Sequence, residues 1–323
     1  MNSRYIPPDQ ENWQGRPSQQ MEYLHENIQL LDLSRQKIPV QKSRTPALIG
    51  YACDEGVRRN LGRPGAKKGP EALRKALGKL PLLKEPTTKL WDAGDIHCED
   101  KDLESCQEAF ATAIEQLVQN GFMPLAIGGG HDIAYAHFRG LAESLGNGKR
   151  LGILNFDAHF DLRLPSPNGH SGSPFLQIAR DCEASGREFH YGCIGVRRDA
   201  NPQELWDRAR DLEVMWMERE DLVPDRMDVV LRQLNEFMTP LDGIYLTIDL
   251  DGFASSYAPG VSAASPMGYA PDALIPCLDL ILKSGKLKSM DIAELNPPLD
   301  RDGQTSALAA SLIHRVLHHP GLF

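Results

Sequence analysis

The 323-residue sequence predicts an α/β fold, a three-layer αβα arrangement around a mainly parallel central sheet. Three observations carry that prediction. Short, almost continuous apolar runs recur along the chain, as strands buried on both faces require. Longer amphipathic segments alternate with them, the pattern of strand–helix–strand crossovers. Clusters of Asp, His and Gly stand directly after several of the apolar runs, where an open parallel sheet places its ligand site.

The first 45 residues are polar and rich in Gln, with Met21, Leu24, Ile28 and Leu31 at a spacing that predicts a leading helix. They are read as an N-terminal extension, residues 1–45, packing on one main domain, residues 46–323. The predicted strands are Ala47–Ala52, Met123–Ile127, Leu151–Phe156, Tyr191–Val196, Val214–Met217, Ile244–Asp249 and Lys288–Ala293. The clearest helix runs from Leu103 to Asn120, where Leu103, Cys106, Phe110, Ile114, Leu117 and Val118 form one stripe and Gly121 stops it. Further helices are predicted over Pro70–Leu80, Pro202–Leu212, Arg226–Met238, Pro271–Ser284 and Thr305–His318. No internal repeat or low-complexity linker divides the chain.

Composition excludes several classes. With 35 basic against 44 acidic residues and a net charge of -9, no concentrated basic face is available for nucleic acid. No apolar run approaches the ~18 residues of a membrane helix, and the first twenty residues lack the apolar core of a signal peptide. The six cysteines, Cys53, Cys98, Cys106, Cys182, Cys193 and Cys277, contain no C-x-x-C pair. They read as buried reduced thiols of a cytoplasmic protein, with neither a zinc knot nor a disulfide framework.

Three clusters carry chemistry. Asp157, His159 and Asp161 alternate after the run Leu151–Phe156, so an extended chain would turn them to one side. Asp249 and Asp251 repeat that spacing after Ile244–Ile248. Gly128–Gly129–Gly130 precedes His131 and Asp132, and matches neither phosphate-binding glycine pattern. Each alone has an ordinary reading, as a capped polar loop or a turn with solvated aspartates. Together they bring four Asp and two His to three strand ends. Such a gathering is costly without a cation. Carboxylate with imidazole, and no cysteine in any of the three clusters, suits Mn²⁺, and six ligands suffice for two ions that share a water and lower its pKa.

The segments Gly128–Asp132 (GGGHD), Phe156–Asp161 (FDAHFD) and Asp249–Asp251 (DLD), in that order, resemble the metal-binding motifs of the ureohydrolase family of arginases, agmatinases and formimidoylglutamases. Asp291–Pro297 (DIAELNP) resembles the family's fourth motif, and Gly62–Pro70, with Leu73 and Arg74, its N-terminal G-R-x-G-x-x-x-G-P signature. The resemblance spans roughly residues 46–318 and implies an arginase-like fold and hydrolysis of a C–N bond in an amidine or guanidine. It implies two Mn²⁺ ions, one on His131, Asp157, Asp161 and Asp249, the other on Asp157, His159, Asp249 and Asp251. It further implies that Glu294 binds the cationic group of the substrate, a role a carboxylate suits, and that His170 shuttles a proton to the leaving amine. Homo-oligomers are common in the family, and no interface is legible in the sequence.

Within the family the chain is most similar to the formimidoylglutamase branch. His170–Ile178 (HSGSPFLQI) resembles its S-G-T-P-F-x-Q-I run, Trp13–Arg16 its W-x-G-R, and Asp54–Pro70 its D-E-G-V-R-R-N stretch. Arg163, two residues after the last aspartate of the cluster, would suit a dicarboxylate substrate and not agmatine. Arg163, Ser171, Asn60 and Arg63 are the candidate substrate contacts, Asn60 and Arg63 being equally well read as ordinary loop residues. Two departures, Arg197–Arg198 and Phe253, are expected beside the pocket and bear on specificity. The alternatives are another ureohydrolase acting on a guanidino compound and a non-catalytic metal-binding homologue. The expected partner is a small molecule, with no nucleic acid and no membrane.

Overall fold

The apolar runs fold as short strands with both faces covered. In the computed structural model, which describes residues 4–35, 38–83, 89–146 and 148–322, the strands are β1 (Tyr5–Ile6), β2 (Gln29–Leu30), β3 (Thr45–Ala52), β4 (Trp91–His97), β5 (Phe122–Ile127), β6 (Leu151–Phe156), β7 (His190–Val196), β8 (Met215–Glu218), β9 (Gly243–Asp249) and β10 (Leu287–Ala293). Residues 1–3 and 36–37 of the expected extension, and 84–88, 147 and 323 of the expected main domain, lie outside the described residues. Every residue of β3, β5, β6 and β9 is buried, which is why these strands read as unbroken apolar runs rather than alternating ones.

The strands form one sheet in the order β1-β4-β3-β5-β10-β9-β6-β7-β8, with β2 beside β4. Only β1 runs antiparallel among the described pairs. Nine helices are described: α1 (Glu55–Arg59), α2 (Gly69–Leu77), α3 (Leu103–Gln119), α4 (Ile133–Leu145), α5 (Pro174–Ser185), α6 (Gln203–Asp211), α7 (Met227–Met238), α8 (Pro271–Lys283) and α9 (Gln304–Leu317). Period-2 alternation sorts the core into two layers. Leu48, Leu125 and Phe156 pack with Leu73 of α2, Leu234 of α7, Leu278 of α8 and Ile313 of α9. Ile49, Ala126 and Ile153 pack with Phe110 of α3, Leu141 of α4, Phe175 of α5 and Leu205 of α6. The expected three-layer α/β architecture is therefore the observed one.

This topology decides where the chemistry goes. β5, β10, β9 and β6 are consecutive in the middle of the sheet, and all run parallel. The residues that follow their carboxyl ends, His131, Glu294, Asp251 and Asp157 with its neighbours, are thereby brought to one edge from distant parts of the sequence.

The leading helix does not form. Leu24–Glu26 is a single 3₁₀ turn, and Gln29–Leu30 is strand β2. Leu24, Ile28 and Leu31 are buried as their spacing implied, but Met21 is exposed. The N–H groups of Leu24 and His25 bond to the carbonyls of Leu80 and Gly78 at 3.0 and 3.2 Å, so the loop after α2 satisfies them instead of a helical turn. Sequence reading also missed β4, whose run is interrupted by Asp92 and Asp95. Their burial is answered by a cation. Arg74 of α2, 1% exposed, holds both oxygens of Asp92 at 2.8 Å and Asp95 at 2.7 Å. Trp13 closes the group, its Nε1–H donating to Asp92 Oδ2 at 2.7 Å. A buried carboxylate so surrounded keeps its charge at tolerable cost.

Replacing Trp13 by Phe keeps the ring volume and deletes that N–H. The expected result is a loss of about 1.5–3 kcal/mol of unfolding free energy, the range for a hydrogen bond to a charged group. Urea unfolding checks it, and an unchanged midpoint would show that Trp13 does not anchor the N-terminal segment.

Candidate metal centre and active site

The site begins with a turn that tolerates no side chain. After β5, Gly128–Gly130 passes so close to the end of β3 that a Cβ on Gly129 would stand 1.6 Å from the Cys53 carbonyl oxygen. This proximity is what the glycines are for. The turn is fixed by Gly129 N–H to Tyr51 O at 2.7 Å and Gly130 N–H to Cys53 O at 3.0 Å, and it delivers His131 into the sheet edge.

After β6 the chain is held in an irregular course by buried amides. Asn155 donates to Asp157 Oδ2 at 3.0 Å, and Asn201 grips both Ala158 O, at 2.8 Å, and Phe160 N, at 3.0 Å. Asp161 sits at φ +49°, a left-handed conformation rare for residues with a side chain. Glu294, just after β10, lies at φ +66°. Two strained backbones among the predicted site residues are a signature of a position selected for what its side chain touches.

His131 Nδ1 lies 3.2 Å from Asp157 Oδ2, 2.9 Å from Asp161 Oδ2 and 3.1 Å from Asp249 Oδ2. Its geometry makes a hydrogen bond to none of them, and the nitrogen is left buried without a partner. Four donor atoms thus surround one point. A second group shares Asp157 through its other oxygen: His159 Nδ1 lies 3.3 Å from Asp157 Oδ1 and 3.3 Å from Asp251 Oδ2. All six predicted ligands therefore converge, with Asp157 common to both groups. Asp249, expected to bridge as well, enters only the first, and its Oδ1 accepts the N–H of Asp251 at 2.8 Å.

The electrostatics call for positive charge. Burial and the charge of Asp157 push the Asp161 carboxyl up to about 6. Burial raises Asp251, with Asp249 adding to the effect, and raises Glu294, with Asp249 and Asp251 adding to it. Burial opposes charge on His131 too, but three carboxylates override it and hold the imidazole well above its ordinary range. Asp251 Oδ1 and Glu294 Oε2 are buried without hydrogen-bond partners. Hard oxygens with two imidazoles and orphaned donor atoms fit divalent cations of the Mn²⁺ class.

A cavity of about 330 Å³ opens on this cluster. Its lining includes His131, His159, Asp161, Asp249, Asp251 and Glu294, together with the predicted contacts Asn60, Arg63, Arg163 and Ser171. Glu294 is aimed by its own Oε1, which accepts the His131 N–H at 3.0 Å. Asn60 donates to Ser171 Oγ at 3.2 Å. Arg63 spends its guanidinium on the carbonyls of Ser262 and Val261, at 2.8 and 2.9 Å. Arg163 makes no ion pair among the described residues.

His170 is off the cavity wall. Its Nε2 faces Leu164 O at 3.2 Å and its Nδ1 accepts Gly172 N–H at 3.2 Å, so both nitrogens are engaged by backbone. Burial, with the charges of Arg163 and Arg59, lowers its pKa. The imidazole thus shapes the turn that presents Ser171, and its ring nitrogens face backbone groups rather than the expected shuttle position. Arg197, Arg198 and Phe253 also do not line the cavity: Arg197 pairs with Asp199, Arg198 with Glu218, and Phe253 packs on Tyr269 in the core.

Sequence reading missed the residues behind His131. Its Nε2 meets Thr247 Oγ1 at 3.0 Å, and that hydroxyl donates to Asp291 Oδ1 at 2.5 Å. Tyr245 OH donates to Asp291 Oδ2, which His137 Nδ1 also meets at 2.6 Å. With Nδ1 turned to the cluster, Nε2 carries the proton and the chain of bonds fixes the ring. The available signals were Thr247 after the apolar run Ile244–Leu246 and Asp291 at the head of the DIAELNP segment.

Residues 44–319 match the model of the Arginase family. A formimidoylglutamase of Legionella pneumophila (strain Paris) is 41% identical over 318 residues, 98% of each chain. That of Chromobacterium violaceum is 45% identical over 286 residues, 88% of this chain and 91% of the relative. The crystal structure of Bacillus subtilis formimidoylglutamase shares the fold with a TM-score of 0.82 at 22% identity, covering 96% of this chain and 95% of that one. That of Trypanosoma cruzi formiminoglutamase with Mn²⁺ has a TM-score of 0.78 at 26% identity, covering 93% and 98%.

Thr247→Val preserves shape and removes the acceptor for His131. Divalent-cation affinity is expected to fall about 10–100-fold, as for other residues that orient a metal-binding imidazole; calorimetric Mn²⁺ titration measures it, and an unaltered affinity would show the ring is held by other means. Because a proton and a cation compete for Asp161, cation uptake should weaken as pH falls through about 6. The same titration across pH checks this, with a flat profile as the contrary result.

Proposed function

The chain belongs to the arginase family, and on that premise we propose that it hydrolyses N-formimidoyl-L-glutamate to L-glutamate and formamide, using two Mn²⁺ ions. Support comes from the relatives named formimidoylglutamase, matched over nearly the full length, and from the T. cruzi structures, which hold Mn²⁺. The observation that carries the choice of substrate is a pairing of charges in one cavity. Glu294 offers an unpartnered carboxylate oxygen and Arg163 a guanidinium without an ion pair among the described residues. The substrate carries the complement, a cationic formimidoyl group and two carboxylates.

The ligand set proposed for one ion is His131, Asp157, Asp161 and Asp249, and for the other Asp157, His159 and Asp251. The chemistry a Mn²⁺ pair supplies when bound is acidification of water, giving a nucleophile near neutral pH. The protein does the rest. Glu294 Oε2 accepts N–H bonds from the planar formimidoyl group, a charge-assisted contact. Its Oε1, tied to the His131 N–H, keeps that carboxylate in register with the cluster. Arg163 binds a substrate carboxylate at the far end, where a planar fork gives bidentate recognition. Asn60 and Ser171, already bonded to each other, line the space between. The substrate's carbon is thus held at the cluster by both ends, which converts binding energy into orientation.

Among the described residues, no helix is long and apolar enough to cross a membrane. The partner proposed for this cavity is a small molecule.

A panel of formimidoylglutamate, arginine, agmatine and guanidinobutyrate, assayed with added Mn²⁺, tests the reading. Turnover of formimidoylglutamate above the others is expected. Turnover confined to a guanidino compound would reassign the substrate, and Mn²⁺ binding without any turnover would mark a non-catalytic homologue. In Arg163→Ala, KM for formimidoylglutamate should rise about tenfold or more, the size expected for one lost charged contact, with Mn²⁺ content unchanged. An unchanged KM would remove Arg163 from substrate recognition.

A further inference from the structure

Outside the carboxylate centre, one more group of metal-binding side chains converges among the described residues. Cys53 follows β3, Cys98 follows β4 and Cys106 lies in the first turn of α3. β3 and β4 are parallel neighbours in which Ala52 pairs with His97, so Cys53 and Cys98 leave the sheet side by side. The helix that follows β4 then returns Cys106 to them. The three sulfurs all lie within 4.8 Å of one another, and all three cysteines are unbridged. None belongs to the histidine–aspartate groups.

We propose that Cys53, Cys98 and Cys106 form a three-thiolate site for Zn²⁺, separate from the carboxylate centre, that ties the ends of β3 and β4 to the start of α3. Thiolate is a soft donor and selects Zn²⁺ over the Mn²⁺ suited to the hard oxygens nearby. With Zn–S bonds of about 2.3 Å, tetrahedral sulfurs stand ~3.8 Å apart. Sulfurs within 4.8 Å of one another are compatible with that spacing.

Charge and access fit as well. Three thiolates around Zn²⁺ carry one net negative charge. Positive potential reaches them from the N-terminus of α3, within whose first turn Cys106 lies. The Arg4 guanidinium, held by Asp100 at 2.6 Å, is near enough to Cys98 and Cys106 to interact electrostatically. Cys53 and Cys106 are fully buried, but Cys98 lines a separate cavity of about 340 Å³. That cavity reaches Cys98 and offers the site an entry path.

The placement has a consequence for the active site. Cys53 O is the acceptor of the Gly130 N–H, and Gly129 packs directly on Cys53. A metal that fixes Cys53 therefore braces the turn that carries His131.

Co²⁺ is the probe, added to the full-length, reduced protein already loaded with Mn²⁺. Thiolate-to-cobalt charge-transfer absorption should appear, saturate at one equivalent and vanish when Zn²⁺ is added. It should be absent in Cys98→Ser and retained in Asp251→Asn. No charge-transfer band, or a band that survives in Cys98→Ser, would overturn the proposal. Should Cys98→Ser fail to fold, alkylation of the native wild type decides. One equivalent of Zn²⁺ should slow labelling of Cys98 about tenfold or more, since a metal-bound thiolate is a poor nucleophile. Equal labelling rates with and without Zn²⁺ would overturn the proposal.

Discussion

The structure depends on assembling like charges where water cannot screen them. Four aspartates and Glu294 crowd one buried edge of the sheet, with two imidazoles set among them. Burial raises the carboxyls of Asp161, Asp251 and Glu294, the direction in which crowded acids shed charge, while Asp157, beside both imidazoles, is held below its ordinary range. The arrangement makes physical sense when cations complete it. The donor atoms, the shared Asp157 and the orphaned lone pairs are then not defects but halves of bonds.

Holding that cluster together is a task for the scaffold. Four adjacent parallel strands bring their carboxyl ends to one place, and after three of them the chain passes through close-packed glycines or residues at positive φ. Behind the ligands stands a layer of neutral and acidic hydrogen-bonding groups. Thr247 and Asp291 set His131, and Asn155 sets Asp157. At the opposite flank of the sheet the same problem is solved without a metal. There Asp92 and Asp95 are buried against Arg74, and Trp13 ties the N-terminal segment to them. One molecule thus uses both ways of keeping a buried carboxylate: a paired arginine for structure and a cation site for chemistry.

How much of this was legible follows from what each residue must satisfy. Strands buried on both faces announce themselves as apolar runs, so β3, β5, β6, β7, β9 and β10 were found within a residue or two of their bounds. β4 was not, because its burial is balanced by Arg74 rather than by apolar side chains. The leading helix was over-read because Leu24, Ile28 and Leu31 obey helical spacing while their backbone partners lie in another loop. The proposed metal ligands stood out because each must lie at a strand end in a polar cluster. Of their supports, Thr247 was a polar residue inside a strand with no pattern of its own, and Asp291 headed the DIAELNP segment without its place behind His131 being legible. The roles expected of His170 and Asp249 depended on which way side chains turn, which spacing alone does not set. The convergence of Cys53, Cys98 and Cys106 is a product of strand order, and no C-x-x-C spacing could have revealed it.

The most direct test of the central claim is anomalous diffraction at the manganese edge from crystals grown with Mn²⁺. Two peaks are expected on either side of the Asp157 carboxylate, one against His131 and one against His159. A single peak, or peaks elsewhere in the molecule with this cluster empty, would contradict the account.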